Sequence, residues 1–301
     1  MTDILIVGAG PAGLTAAIYA LRAGKSVLLI EKAAIGGQMT HSPKIENYPG
    51  FPEISGTGLA DRMTEQALNL GAEMELGEVT KLELAGDVKK AVTEDGEFEA
   101  KAVILAMGAK HRTLGLSGEE ALSGVSYCAV CDGDFYRGED VIIVGGGNSA
   151  MQEALLLSET CSHVTMVQNL AFLTGEQALK DRVLAKENIS VIYGCVADRL
   201  LGEDAFTGLV VKNTETGETQ TVNAGGLFVA IGLLPDTAPA EGLLALQNGY
   251  IEAGEDCLTS IPGVFTAGDC RTKGIRQVST AAADGAVAAL AAVRYLQSAA
   301  M

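Results

Sequence analysis

The apolar positions of this chain fall in short continuous runs, each closed by small residues and followed by a helical pattern. In DILIVGAGPAGLTAAIYA (3–20) the run Ile4 to Val7 predicts a strand, the glycines a turn, and the remainder a helix. SVLLIEK (26–32) predicts a second strand. KAVILAMGAK (101–110) and GVFTAGDC (263–270) predict two more, and RQVSTAAADGAVAAL opens a long C-terminal helix. That helix is apolar, but Asp284 and Arg294 interrupt it, so it reads as an alanine-rich core helix and not a membrane span. The N-terminus enters a strand at once, without the basic-then-apolar layout of a signal peptide, which makes the cytoplasm the expected compartment.

The opening pattern returns. DVIIVGGGNSAMQEALLL (140–157) superposes on residues 3–20 without gaps, at an offset of 137 residues. Gly8, Gly10 and Gly13 fall on Gly145, Gly147 and Ala150. Each run is a strand–turn–helix of the dinucleotide-binding type: one glycine for the tight turn, one for close approach of a pyrophosphate, and a small residue for helix–strand packing. The second strands differ. SVLLIEK carries Glu31, placed to accept both hydroxyls of an adenosine ribose, whereas HVTMVQN (163–169) has Gln168 at the same offset. The second unit therefore lacks the acid that favours NAD, and QNLAFLTGEQAL also lacks the arginines that would hold a 2′-phosphate. The fold expected is α/β, with two Rossmann-like, three-layer ββα dinucleotide-binding domains and the second inserted into the first. Residues 1–113 and 243–301 are assigned to the first domain and 114–242 to the second, with the Gly-Leu-Leu-Pro run at 232–235 as the return crossover.

At 301 residues the chain is long enough for two cores. Its net charge of −17 disfavours nucleic acid and anionic membranes as partners. Six cysteines are too few for a disulfide scaffold. Cys161, Cys195, Cys257 and Cys270 are scattered and read as buried structural thiols. Cys128 and Cys131 form a CxxC followed by Asp132, in SYCAVCDGDFY (126–136). A zinc site needs a second ligand pair, and the chain offers no other CxxC and no paired histidines, so no metal is expected. A structural staple across two residues closes too small a loop to remove much chain entropy. A redox pair is the reading that suits a CxxC in an αβ framework.

The motifs as a set resemble the low-molecular-weight thioredoxin reductase family over essentially the whole chain: GAGPAG (8–13), GGQ (36–38), IENYPGFP (45–52), CAVCD (128–132), GGGNSA (145–150), GLFVAIG (226–232), SIPGVFTAGD (260–269) and RQV (276–278). The resemblance implies FAD, a redox disulfide, a homodimer, and thioredoxin or a similar small disulfide protein as acceptor. It implies that Gly8, Gly10, Pro11, Ala12, Gly13, Glu31 and Lys32 hold the ADP half of FAD, with Val79, Met107, Gly108 and Gly268 beside the cofactor. Gly37, Gln38 and Asn47 would lie along the flavin, and Asp269 would meet the ribityl and pyrophosphate region. Arg276, Gln277 and Val278 would bring backbone N–H groups to the flavin N1/O2 edge, where a helix N-terminus favours negative charge. Cys131 would face the flavin, Cys128 would attack the acceptor disulfide, and Asp132 would be the general acid–base. Rotation of one domain against the other is the family's way of serving both partners, and is expected here.

The pattern breaks where the family carries a His-Arg-Arg run and a further Arg for NADPH. Those positions are Gln168, Asn169, Leu170 and Thr174. The chain thus resembles the pyridine-nucleotide-independent branch, in which reduced ferredoxin feeds the flavin single electrons. NADH held with the help of Gln168, or another flavoprotein donor, stays open, as does a redox sensor without turnover. Because ferredoxins are acidic, that donor requires a local basic dock. Asp134 reads as a solvated acid, Met107 as packing on FAD, and His41 as a surface residue. The absence of an N-terminal thioredoxin-like extension and of a C-terminal cysteine pair argues against alkyl-hydroperoxide-reductase flavoproteins and high-molecular-weight reductases.

Overall fold

A computed structural model describes residues 1–42 and 44–298 of the chain. They form two compact units, the first built from the stretches up to 110 and from 234 onward and the second covering 111–233. The chain leaves the first unit three residues earlier than the expected boundary at 113 and returns nine residues before 243. The return falls inside the Gly-Leu-Leu-Pro run at 232–235. The segment 234–242 belongs to the first unit because Ala240 and Leu244 are buried in that unit's core.

In the first unit the strands Thr2–Val7, Val27–Glu31 and Glu73–Leu76 pair in parallel, and Thr2–Val7 also pairs in parallel with Glu97–Leu105. On its other edge the nine-residue strand Glu97–Leu105 serves two further neighbours. Its first half pairs antiparallel with Lys89–Val92, and its second half in parallel with Val264–Thr266. Alternation sorts the side chains into two layers. Ile4 and Ile6 face the core shared with the helices Pro11–Arg22, Gly56–Asn69 and Val278–Ser298. Leu5 and Val7 face a second core with Leu82, Leu84 and Ala91 from the antiparallel meander. Both faces are covered, which is why the run carries no polar position.

The alanine-rich character of the last helix has a steric cause. A Cβ at Gly285 would lie 2.1 Å from the Ala12 carbonyl oxygen, so helix Val278–Ser298 and helix Pro11–Arg22 approach backbone to backbone. Ala12, Ala16 and Ala17 meet Ala288, Ala289 and Ala292 in one core. Larger residues on this seam would force the helices apart.

The second unit repeats the plan. Five parallel strands run in the order Ile189–Ile192, His163–Val167, Asp140–Val144, Gly226–Val229, Val125–Ser126. Val141 and Ile143 pack with helix Asn148–Leu157. Ile142 and Val144 pack with Leu200, Leu209 and Val211 of an antiparallel three-stranded sheet. Both units are therefore Rossmann-like and three-layered. Among the described residues no helix is long and apolar enough to cross a membrane.

Candidate active site

Two sites emerge, one in each unit. In the first, the strand Thr2–Val7 ends in a turn that sterics reserve for glycine. Gly8 has φ +102°, and a Cβ there would sit 2.3 Å from the Ala106 carbonyl oxygen. A Cβ on Gly13 would lie 1.8 Å from the Gly8 carbonyl oxygen. Gly10 differs: the nearest atom to a Cβ is 4.0 Å away, so the space before the helix N-terminus is open. Pro11 occupies the first turn, where a missing N–H costs nothing.

Glu31 closes this turn from the next strand. One carboxylate oxygen accepts the Ala9 N–H at 2.7 Å and the other the Ala33 N–H at 2.8 Å. Each oxygen keeps a lone pair for a further donor. A cavity of about 320 Å³ begins here, lined by Gly8, Glu31, Lys32, Val79, Met107 and Asp236, among others. Lys32 is ion-paired with Asp236 at 2.5 Å and Glu78 at 3.2 Å, so its ammonium is already compensated.

Sequence-distant residues meet on the same unit. Asn47 donates to the Gln277 side chain at 3.2 Å. Gly37 and Gln38 open the short 3-10 helix Gly37–His41, and His41 is exposed. Gly108 and Gly268 both have positive φ. Asp269 sits in the turn Gly268–Cys270 with one buried carboxylate oxygen lacking any partner. Burial raises its carboxyl above the usual range, and Lys273 and Arg276 pull it back. The Gln277 N–H donates to Thr280 Oγ1 at 3.1 Å, closing the start of helix Val278–Ser298. Arg276 lies over the Tyr250 ring at 4.2 Å.

The second site is on the other unit. Cys128 and Cys131 form a disulfide with Cα atoms 5.3 Å apart. Cys128 caps the four-residue helix Ala129–Asp132. Both cysteines are half-buried, and Val130 between them is exposed. Asp132 follows directly, half-buried, with Oδ2 accepting the Ser126 hydroxyl at 2.6 Å and Oδ1 buried without a partner among the described residues. Burial pushes its carboxyl up, and the Ser126 bond partly offsets that. Asp134 is a solvated acid, exposed, and pairs with the equally exposed Arg137 at 2.7 Å. The other four cysteines are free thiols and buried.

A half-buried disulfide thus stands beside an acid, on a chain with two dinucleotide-type folds. The profile of the pyridine nucleotide-disulphide oxidoreductases covers residues 2–285. This chain belongs to that family. The thioredoxin reductase of Streptococcus pyogenes has a crystal structure that superposes with a TM-score of 0.94, at 43% identity over 99% of both chains. The thioredoxin reductase of Listeria monocytogenes is 39% identical over 98% of this chain and 94% of its own. A 34.2 kDa protein in the rubredoxin operon of Clostridium pasteurianum is 41% identical over 98% and 97%.

FAD is the cofactor of these oxidoreductases. The residues of the first site fit it. Gly10 leaves room for a pyrophosphate, Glu31 keeps lone pairs for ribose hydroxyls, and the orphaned Asp269 oxygen needs a hydroxyl donor. Some residues of this oxidoreductase stand out only in three dimensions. Asp284 accepts the Gly268 N–H at 3.0 Å, Arg271 at 2.8 Å and Lys273 at 2.9 Å, and so braces the turn that carries Asp269. An acid inside an alanine-rich helix was the signal available for it. Ser126 and Glu153, both close to the short cysteine helix, had no signal beyond proximity in sequence for the first.

Proposed function

We propose that this oxidoreductase is a thioredoxin-disulfide reductase, passing electrons from FAD through Cys128–Cys131 to thioredoxin or a similar small disulfide protein. The observation that carries the reading is the half-buried disulfide with a protonatable acid directly after it. The names of the relatives support it. FAD, when bound, supplies the electron pair that opens the disulfide. In this reading Asp132 takes the Cys128 proton, and the thiolate attacks the acceptor disulfide. One acceptor sulfur leaves and takes the proton back; Cys131 then attacks Cys128, re-forming the disulfide and releasing the second acceptor thiol. The acceptor gains two electrons and two protons, and the two cysteines lose them. The site residues Gly8, Gly10, Pro11, Ala12, Gly13, Glu31, Lys32, Val79, Met107 and Gly108 serve the ADP half in this proposal. Gly37, Gln38, Asn47, Gly268, Asp269, Arg276, Gln277 and Val278 serve the flavin side. Assembly as a homodimer and a cytoplasmic setting belong to the same proposal.

Reduced ferredoxin is the donor we favour, and the second glycine turn supports it. Gln168 is buried, and its side chain fills the space in front of Gly146: a Cβ there would be 2.4 Å from its amide carbon. Its amide donates to the Phe172 carbonyl at 3.0 Å. Thr174 donates its N–H to the Gly146 carbonyl at 2.9 Å. Asn148, the first residue of the helix, holds Glu176 through two hydrogen bonds of 2.7 and 3.2 Å. An acid thus stands near the helix N-terminus where an anionic cofactor would need cations, and Leu170 and Phe172 are exposed apolar residues. Each lost charge-assisted phosphate contact removes about 1.5–3 kcal/mol, so NADPH affinity falls by orders of magnitude.

The test is an anaerobic titration of FAD-loaded protein with NADPH, NADH and reduced ferredoxin, read on the flavin visible band. Bleaching by ferredoxin alone is the expected result. Prompt bleaching by a stoichiometric pyridine nucleotide overturns the donor reading. The cofactor assignment has its own check: Glu31→Ala is expected to weaken FAD binding roughly 10- to 100-fold, as two charge-assisted contacts are lost. Flavin fluorescence on titrating apoprotein with FAD measures it, and unchanged affinity removes Glu31 from the site.

A further inference from the structure

The catalytic acid of the proposed reaction does not stand alone. Ser126 is 5% exposed and lies on the strand Val125–Ser126, paired with Phe228 in the parallel sheet. Its hydroxyl makes two bonds that join the two ends of the cysteine motif. It accepts the Cys128 N–H at 3.1 Å and donates to Asp132 Oδ2 at 2.6 Å. The Cys128 carbonyl is a poorer target for the same proton, at 3.5 Å. A hydroxyl has one proton, and the N–H it accepts polarises it toward the shorter, charged partner.

We propose that Ser126 is a positioning residue for the thiol chemistry: its hydroxyl occupies Asp132 Oδ2 and so makes the unpartnered Oδ1 the oxygen that trades a proton with the cysteines. This inference rests on the role of Asp132 proposed above. It follows from the count of acceptors. Oδ2 is taken by a donor that holds its own proton on oxygen, whereas Oδ1 is buried and free. Without the hydroxyl, both oxygens lack a partner and the side chain has no fixed orientation.

The direction of the titration effect follows from the surroundings. Ser126 is the one group lowering the Asp132 carboxyl against the burial that raises it. The titratable groups nearby are acids. Tyr136, on the following turn, is raised by burial and by the charges of Asp132 and Glu139. Glu153, on the helix packed against Ala129–Asp132, is pushed up to about 7 by burial, with the Ala129 N–H partly opposing. The neighbouring strand Gly226–Val229 contributes no titratable side chain, and Arg137 is paired with Asp134. Removing the Ser126 hydroxyl leaves burial unopposed, so the Asp132 carboxyl rises further.

The experiment uses FAD-loaded full-length protein, reduced with dithiothreitol and freed of it, then mixed with dithiobis-nitrobenzoate across the pH range. That reagent takes two electrons from the cysteine pair and releases two nitrothiobenzoate anions, which need no proton to leave. The acid limb of the rate therefore reports the base that deprotonates Cys128. Ser126→Ala is expected to move this limb up by at least about half a pH unit and to slow the reaction several-fold at neutral pH. Ser126→Thr is expected to restore the limb. Ser126→Val matches the threonine variant in shape without a donor, and is expected to shift the limb as Ser126→Ala does. Asp132→Asn is expected to abolish the limb. If Ser126→Ala and Ser126→Val keep the parent limb while Asp132→Asn abolishes it, Ser126 has no positioning role and the reading of Asp132 stands. If Asp132→Asn keeps the limb, the Asp132 reading fails and takes this inference with it.

Discussion

Cys131→Ser will stop catalytic transfer to thioredoxin and leave Cys128 joined to it in a stable mixed disulfide. The reaction needs two sulfurs in sequence. In the proposed reaction Cys128 opens the acceptor disulfide, and only a second thiolate within reach can release it. Cys128 caps the short helix Ala129–Asp132 and Cys131 lies within it, their Cα atoms 5.3 Å apart, so that second attack is intramolecular. With serine at 131 the first step proceeds and the second cannot. Turnover is expected to fall by more than about a thousandfold, the scale seen when a nucleophile is removed. Cys128→Ser should lose turnover equally but form no adduct. Non-reducing electrophoresis of each variant mixed with oxidised thioredoxin, alongside flavin absorbance to show that FAD is retained, reads both results. An adduct from Cys128→Ser and none from Cys131→Ser would reverse the two roles.

Asp284→Ala is expected to destabilise the first unit by about 3–5 kcal/mol, the usual consequence of removing one partner of a buried ion pair. Arg271 is 2% exposed, and its Nε and Nη2 both bond the Asp284 carboxylate at 2.8 Å. Lys273, also buried, adds a third donor at 2.9 Å. Without the carboxylate Lys273 loses this buried partner, Arg271 keeps only the exposed Glu255 at 3.4 Å as a charged partner, and the Gly268 N–H loses its acceptor. Thermal unfolding followed by circular dichroism should show a Tm lower by roughly ten degrees. A shift under a degree or two would mean that water or Glu255 compensates the cations. The pH dependence has a definite sign. Burial opposes ionisation of Asp284, but the hydrogen bonds from Arg271 and Lys273 outweigh it and hold the carboxyl below its usual range. The stabilisation is therefore complete above the unfolded carboxylate value near pH 3.9 and is lost as pH falls through the lower folded value. Asp284→Asn should remove that acid-side loss.

Much of this protein was legible along the chain because its chemistry is local. A glycine turn between a strand and a helix, with an acid at the end of the next strand, depends on contacts within some thirty residues, and residues 3–31 form them as read. The CxxC needs only two residues between its sulfurs, so its pairing was visible too. The repeat at 140–157 was equally plain, since the same backbone geometry demands the same residues.

What the chain did not disclose are the partners chosen by long-range packing. The domain limits moved because 234–242 is held by burial of Ala240, not by any local signal. Gln168 was read as a missing acid, whereas the fold turns it inward against Gly146 and bonds it to Phe172. Asp284 was seen as a charge that breaks an apolar helix; its partners lie 11 and 13 residues earlier, across a turn. Residue type and spacing determine local turns and the identity of reactive groups, because covalent geometry sets those distances. Which polar groups are buried together, and so which carboxylates are ionised, braced or left with a free oxygen, is decided only when the layers close and remove water from around them.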